Sequence, residues 1–153
     1  MKSKSGVFFE VKVRYDKTME NVLNKSVTKS VTEQYVVEAF TFTDAERVIT
    51  DKMISEIGGE FSVVAEKIAN FKEIFSSENV SDIVKWYKVK IQSIEMSDDG
   101  REKKINETYL VSAGSVEAAR KVASEIEYAI CDHEIVSIVE TPFLDVFYME
   151  EEE

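Results

Sequence analysis

The feature that most constrains the fold of this chain is a pattern that occurs twice. "FFEVKVRY" begins at Phe8 and "WYKVKIQS" begins at Trp86, and both place two aromatic residues before alternating charged and apolar residues. Two more matching pairs of segments follow in the same order. "EQYVVEAF" in the first half matches "ETYLVSA" in the second, and "FKEIF" matches "FLDVF". Three pairs of matching segments, in the same order and at nearly constant spacing, predict an internal duplication. Two copies are too few to build a solenoid.

Each half begins with two predicted strands. In "EVKVRY" the residues Phe9, Val11 and Val13 fall on one face and charged residues fall on the other, which indicates a half-buried strand. The link to the second strand is "SDDGREKK" in the second half, where Asp99-Gly100 is a turn signal. In the first half, residues 16–32 form a longer polar link. We expect it to be the least ordered internal segment, although its Val-Thr-Lys-Ser-Val-Thr run could extend the second strand.

A helix and a third strand follow in each half. Thr43 and Glu46 have the spacing of a capping box, Gly58-Gly59 can end the first helix, and Ser115 can cap the second. Apolar residues recur at helical spacing in both segments. These stripes are Ala45, Val48, Ile49, Met53 and Ile57 in the first helix and Ala119, Val122, Ala123, Ile126 and Ile130 in the second.

These elements predict an α+β fold. Two tandem β-β-α-β repeats, at about residues 8–75 and 86–147, would form one antiparallel sheet with both helices on one face. Residues 1–153 are then a single domain, residues 76–85 join the repeats, and residues 149–153 are an acidic tail. We interpret this tail as solvated, with mimicry of nucleic acid as the alternative.

Charge and composition narrow the classes of function. The chain carries 30 acidic and 19 basic residues, a net charge of −11, which disfavours sequence-independent binding to phosphate backbones. It contains no run of about 18 apolar residues, so no membrane-spanning helix is predicted. The N-terminus lacks the apolar core of a signal peptide, and Cys131 is the only cysteine. Together these facts favour a cytoplasmic protein.

No motif in the sequence predicts catalysis. "CDHE" at residues 131–134 holds the only cysteine and histidine, but adjacent residues at a helix end cannot converge on one metal ion. We interpret it as the exit of the second helix. No nucleophile elbow or glycine-rich phosphate loop is present. We predict no metal, cofactor or catalytic residue, and an enzyme that uses clustered carboxylates stays as an alternative.

The candidate binding residues are aromatic and basic side chains in the first strand of each repeat. Alternation places them on the face opposite the core, where aromatics beside basic groups can stack on bases or bind a protein. We hypothesise one composite surface on the helix-free face, made of Phe8, Lys12, Arg14, Trp86, Lys88 and Lys90. The alternative is that the two aromatics only cover the sheet edge. The expected partner is a protein or a second copy of the chain.

The pattern "FFEVKVRYDKTMENVLNKSVTKSVTEQYVVEAFTFTDAE", followed by "KWYKVKI" and "EIVSIVETPFLDVF", resembles a family of small proteins from gut anaerobic bacteria and their phages. The family is known only as a domain of unknown function. The resemblance covers about residues 6–148 and implies an origin on phages or mobile elements, with no activity, cofactor or catalytic residue. We therefore expect a non-enzymatic binding or accessory protein, with a nucleic-acid-associated module as the alternative.

Overall fold

The computed structural model describes residues 2–4, 6–20, 22–76, 84–127 and 133–149, and these ranges contain nine strands and two helices. In chain order the elements are β1 (Lys2–Lys4), β2 (Phe8–Glu20), β3 (Ser26–Glu38), α1 (Phe42–Ile57), β4 (Phe61–Ala69), β5 (Glu73–Ser76), β6 (Lys85–Met96), β7 (Glu102–Ala113), α2 (Val116–Glu127), β8 (His133–Glu140) and β9 (Phe143–Phe147). The mixed α+β class is confirmed.

The chain divides into two compact units, each with its own sheet and helix. The first unit comprises Val7–Ala69 and Phe143–Glu153, and the second comprises Met1–Gly6 and Asn70–Pro142. The prediction of one sheet with both helices on one face is wrong. Each helix buries its apolar stripe against the hairpin of its own unit, so each core is closed by one sheet and one helix.

The sheet of the first unit has the strand order β4-β2-β3-β9. β2 pairs antiparallel with β3 and with β4, and β9 lies parallel to β3. The predicted α1 stripe is confirmed: Ala45, Ile49 and Met53 are buried in one cluster with inward residues of the hairpin such as Val11 and Val37. The alternation of β2 therefore sets which face of this sheet carries the helix.

The sheet of the second unit has the strand order β1-β5-β7-β6-β8. β6 pairs antiparallel with β7 and with β8, β5 lies parallel to β7, and β1 adds an antiparallel edge strand that the sequence did not predict. Ala123 and Ile126 of α2 are buried with Val89 and Val111 of the hairpin. The arrangement β8-β6-β7-β5 thus has the same strand roles as β4-β2-β3-β9.

The short strands β5 and β9, at "FKEIF" and "FLDVF", are exchanged between the sequence halves. β5 precedes the second hairpin in the chain but pairs with it, and β9 ends the chain but pairs with the first hairpin. The registers correspond, since Tyr35 pairs with Asp145 and Tyr109 pairs with Glu73. Because of this exchange, the compact units do not follow the predicted repeat boundaries. Parallel pairing needs a long crossover connection, and local sequence patterns do not specify which strands it joins.

Four of the predicted turn and cap features can be compared with the structure. Gly58 ends α1 with φ 65°, Ser115 accepts a hydrogen bond from the N–H of Ala118 at 3.1 Å, and Gly100 turns the second hairpin with φ 80°. These predictions are confirmed. The capping box at Thr43 is wrong: Thr41 has the extended backbone of an N-cap and accepts from the N–H of Asp44 at 3.1 Å.

Most of the predicted polar link at residues 16–32 is strand, since β2 and β3 pair without interruption from Phe8–Glu38 to Glu20–Ser26. That this segment is the least ordered internal part of the chain stays a prediction. The Val-Thr-Lys-Ser-Val-Thr run extends the second strand. Four predicted features lie partly outside the described residues: residues 77–83 of the connector at 76–85, Ile130 of the α2 stripe, Cys131 and Asp132 of "CDHE", and residues 150–153 of the acidic tail at 149–153.

Candidate functional site

The aromatic residues of the hypothesised composite surface are buried. Phe8 is 0% and Trp86 is 6% exposed, so the prediction that they are exposed is wrong. Each lies on the face opposite the helix, as alternation predicted, but that face is covered at this end of the sheet. Val36 and Leu110, on neighbouring strands of the same faces, are also fully buried. Alternation within one strand cannot show whether a second face is covered. The sequence signal for a covered second face was the pair of apolar residues Val36 and Leu110 on the adjacent strands.

The basic residues of the same hypothesis are more accessible. Lys12, Arg14 and Lys90 are exposed, and Lys88 is partly buried with its Nζ 5.7 Å from the ring centroid of Phe71. The Nε of Arg14 donates a hydrogen bond to Ser30 Oγ at 2.7 Å. Without exposed aromatics these side chains offer charge but no stacking platform. Their binding of a partner stays a prediction.

The first hairpin extends beyond its sheet as a two-stranded ribbon. β4 pairs only with Phe8–Tyr15 and β9 pairs only with residues 34–37, so residues 16–20 and 26–30 pair with each other alone. We call residues 16–30 the first ribbon. In the second unit, β8 stops pairing at Ser93, and residues 94–104 form a shorter second ribbon.

The tip of the first ribbon is apolar. Val22 is 102% and Leu23 is 73% exposed, and the chain turns at Asn24 with φ 56°. Met19 and Val27 form a cross-strand pair just below the tip and are 41% and 39% exposed. Aliphatic side chains at a turn contribute little to the hairpin itself, because turns are specified by Gly, Asn, Asp and Pro. The tip therefore has surface that the fold does not use.

The two faces of the first ribbon carry opposite charge. Lys17 lies directly opposite Lys29, on the same side as the Met19–Val27 pair, and Asp16 and Glu20 lie on the other side. Like charges directly opposite each other destabilise an antiparallel pair. The second ribbon has Glu95 opposite Lys103, a favourable pair. The lysine pair is thus a local cost to the fold of the first unit.

A groove lies at the opposite end of the first unit from the ribbon tip. It has a volume of about 460 Å³ and joins the start of α1 to the residues after β9. Phe40, at its edge, is 72% exposed. Its lining residues are Phe40, Asp44, Arg47, Val48, Asp51, Lys52, Tyr148 and Met149. The N–H of Met149 donates a hydrogen bond to Glu38 Oε1 at 2.9 Å, and this contact holds Met149 beside the groove.

Each unit contains a tyrosine hydrogen-bonded to a glutamate on the helix-covered face. Tyr15 and Tyr35 donate to the two carboxylate oxygens of Glu33 at 2.7 and 2.6 Å. These hydrogen bonds and burial raise the pKa of both phenols, with the hydrogen bond largest for Tyr15 and burial largest for Tyr35. In the second unit, Tyr109 donates to Glu107 at 3.2 Å, and burial together with that carboxylate raises the pKa of Tyr109 to about 12.

The raised phenol pKa values predict loss of stability at alkaline pH. The folded state keeps protons that the unfolded chain releases above pH 10, so the stabilisation is complete below pH 10 and is lost as the pH rises through the folded pKa. We expect the melting temperature, followed by circular dichroism, to fall steeply between pH 10 and 12, and less steeply in Tyr109→Phe. Melting both proteins at pH 8 gives the pH-independent cost of the substitution. Equal slopes would contradict the prediction.

The described residues contain neither a cluster of metal-binding side chains nor a helix that could span a membrane. Within these ranges, no group of three or more His, Cys, Asp and Glu side chains is arranged to hold a metal ion. In the same part of the chain, neither helix is long and apolar enough to cross a bilayer. The ribbon tip and the groove of the first unit both present exposed apolar side chains.

Sequence reasoning missed both of these surfaces. The tip was passed over because residues 16–32 were interpreted as a polar link, yet Val22-Leu23 between two asparagines was the available signal. Phe40 follows a buried strand and precedes a helix, and such a position does not show exposure. The continuous pairing of β2 with β3 is what places the tip and the groove at opposite ends of the first unit, and the sequence does not show its length.

The chain is a two-unit α+β protein in which each unit is completed by a strand from the other sequence half. The family model "Domain of unknown function (DUF4494)" matches residues 7–149, so the chain belongs to this family. No curated protein and no solved structure matches the chain.

Proposed function

We propose that this protein is a non-enzymatic binding protein that holds a protein partner with the first ribbon. The observation that carries the proposal is the apolar tip, where Val22 is 102% and Leu23 is 73% exposed at the end of a projecting hairpin. Burying such a side chain in a partner is worth about 1.5–3 kcal/mol. A hairpin can insert its tip into a pocket with little loss of backbone entropy, because pairing already fixes its backbone.

We also propose that the chain arose by duplication of one β-β-α-β unit. The matched strand roles, the corresponding Tyr35–Asp145 and Tyr109–Glu73 registers, and the tyrosine–glutamate pairs support this. Both edge pairings also shift register at the same place, between Lys12 and Val13 and between Lys90 and Ile91. Under this proposal Lys17 and Lys29 correspond to Glu95 and Lys103, and the first ribbon is the copy that diverged toward binding.

The setting of the protein is part of the proposal. The resemblance to proteins of gut anaerobic bacteria supports an accessory protein of phage or mobile-element origin. The lone cysteine supports action in a reducing cytoplasm. A nucleic-acid module has weaker support because the net charge is −11 and both candidate stacking aromatics are buried. An enzyme that uses clustered carboxylates has weaker support, since the carboxylate of Glu33 is engaged by two tyrosine hydroxyls.

Site-specific crosslinking tests this function. A photo-crosslinking amino acid is placed at Leu23, and at Met96 as the matched control, since these side chains are 73% and 67% exposed at the ends of the two ribbons. In cells that naturally make the protein, we expect discrete protein adducts from position 23 and none above background from position 96. No adducts at position 23, or equal adducts at both positions, would sink the proposal.

A further inference from the structure

We propose that the partner of the first ribbon is a second copy of this chain: the tip at Val22-Leu23 inserts into the groove beside Phe40 of the other copy, and the exchange is reciprocal. This inference rests on the proposed function and names its partner. It concerns only the first unit, which contains both the tip and the groove.

The tip and the groove cannot meet within one molecule. β3 runs without interruption from Ser26, next to the tip, to Glu38, next to the groove. Thirteen strand residues span about 40 Å, because each residue advances about 3.3 Å along the strand. A hairpin paired over its full length does not fold back over this distance. Any contact between these surfaces is therefore intermolecular.

The two surfaces have complementary apolar character. The groove offers the ring of Phe40 together with Val48 and Met149, and its volume of about 460 Å³ exceeds that of two aliphatic side chains. The tip offers Val22 and Leu23. An exposed aromatic next to a groove and exposed aliphatics on a projecting tip each lose water contact in one event.

One charge contact also fits at short range. In the groove, Asp44 is paired with Arg47 at 2.8 Å, and Lys52 lies with its Nζ 5.9 Å from the ring centroid of Phe147. Among the described residues, Asp51 of the groove and Lys17 and Lys29 of the ribbon form no ion pair. An ion pair between Asp51 of one copy and a ribbon lysine of the other would offset the local cost of the lysine pair, a pair that the second ribbon lacks.

The positions of the two surfaces fit a two-fold dimer. When two such hairpins lie antiparallel, each tip reaches the groove end of the other copy, so one rotation makes both contacts. Residue contacts in such an interface are mutual, and the interface closes at two copies. The second contact then forms intramolecularly, which strengthens the dimer without any new type of contact.

Sedimentation of the full-length protein over a wide concentration range tests the proposal. We expect a monomer–dimer equilibrium. Val22→Ser with Leu23→Ser, or Phe40→Ser alone, should each weaken the dimer at least about tenfold. Met96→Ser on the second ribbon is the matched control and should leave the dimer unchanged. Because all these side chains are exposed, circular dichroism and melting temperature, measured at concentrations where the protein is monomeric, should stay those of the unsubstituted protein.

Mixing the two weakened variants gives a sharper test. The tip variant keeps an intact groove and the Phe40→Ser variant keeps an intact tip, so their mixture should form a heterodimer with one of the two contacts. Lys17→Glu should raise the melting temperature by replacing the lysine pair with a favourable pair, and should also weaken the dimer. If Lys17 had no role in binding, Lys17→Glu would raise the melting temperature and leave the dimer unchanged.

Each other outcome overturns the inference. A monomer at every concentration excludes a second copy, and if position 23 then crosslinks to a different protein in cells, the proposed binding function stands without it. Dimers unaffected by the tip and Phe40 substitutions place the interface elsewhere. No heterodimer in the mixture, or species larger than a dimer, excludes the reciprocal arrangement. A monomer that also yields no crosslink at position 23 removes both proposals.

Discussion

Deleting residues 143–153 is expected to unfold the first unit, although most of that unit lies about 75 or more residues earlier in the chain. The deletion removes β9, with Phe143 and Val146 each 6% exposed and Phe147 stacked on Tyr35 at a centroid distance of 5.3 Å. Burial of such side chains is worth about 1.5–3 kcal/mol each, so the sum of about 5 kcal/mol or more approaches the stability of an ordinary domain. Amide hydrogen exchange should show protection lost in β2 and β3 and kept in β6 and β7.

Two controls separate loss of the strand from loss of the tail. Deleting residues 150–153 alone should leave exchange in β2 and β3 unchanged, because those residues are not part of the strand. Adding a peptide of residues 143–149 to the truncated protein should restore protection in the first unit. Unchanged protection of β2 and β3 after the longer deletion would show that the first unit does not depend on β9.

The exchanged strands also show how far the sequence predicted the fold. The hairpins, helices and third strands were found because periods of 2.0 and 3.6 residues are local properties of the chain. "FKEIF" and "FLDVF" were recognised as a matching pair, but their partners were not. A parallel pairing such as Tyr35 with Asp145 joins residues about 110 positions apart, and no local pattern specifies it. One sheet was therefore predicted where the structure has two.

The candidate site was predicted less well than the fold, for a related reason. Alternation assigned Phe8 and Trp86 to the correct face but could not show that the face is covered. The exposed groups at Leu23 and Phe40 lie at the two ends of a hairpin that is longer than the sequence predicts, because the polar composition of residues 16–32 indicates a link between strands. Polar strands form when hydrogen bonding to a partner strand satisfies their backbone, and β2 and β3 supply this to each other.

Substituting two phenylalanines of the first unit tests the reassignment of the binding surface, with an expected large effect at one position and almost none at the other. Phe8 is 0% exposed and Phe40 is 72% exposed, so Phe8→Ala leaves a cavity and Phe40→Ala does not. We expect Phe8→Ala to cost about 3–5 kcal/mol of unfolding free energy, and Phe40→Ala to stay within about 0.5 kcal/mol of the unsubstituted protein. Urea denaturation followed by circular dichroism, at a concentration where the protein is monomeric, measures both. Because the two changes remove the same atoms, their difference reports burial alone. If Phe8→Ala cost less than about 1 kcal/mol, the helix-free face would be open in solution, and Phe8 with Lys12 and Arg14 would again be the better candidate surface.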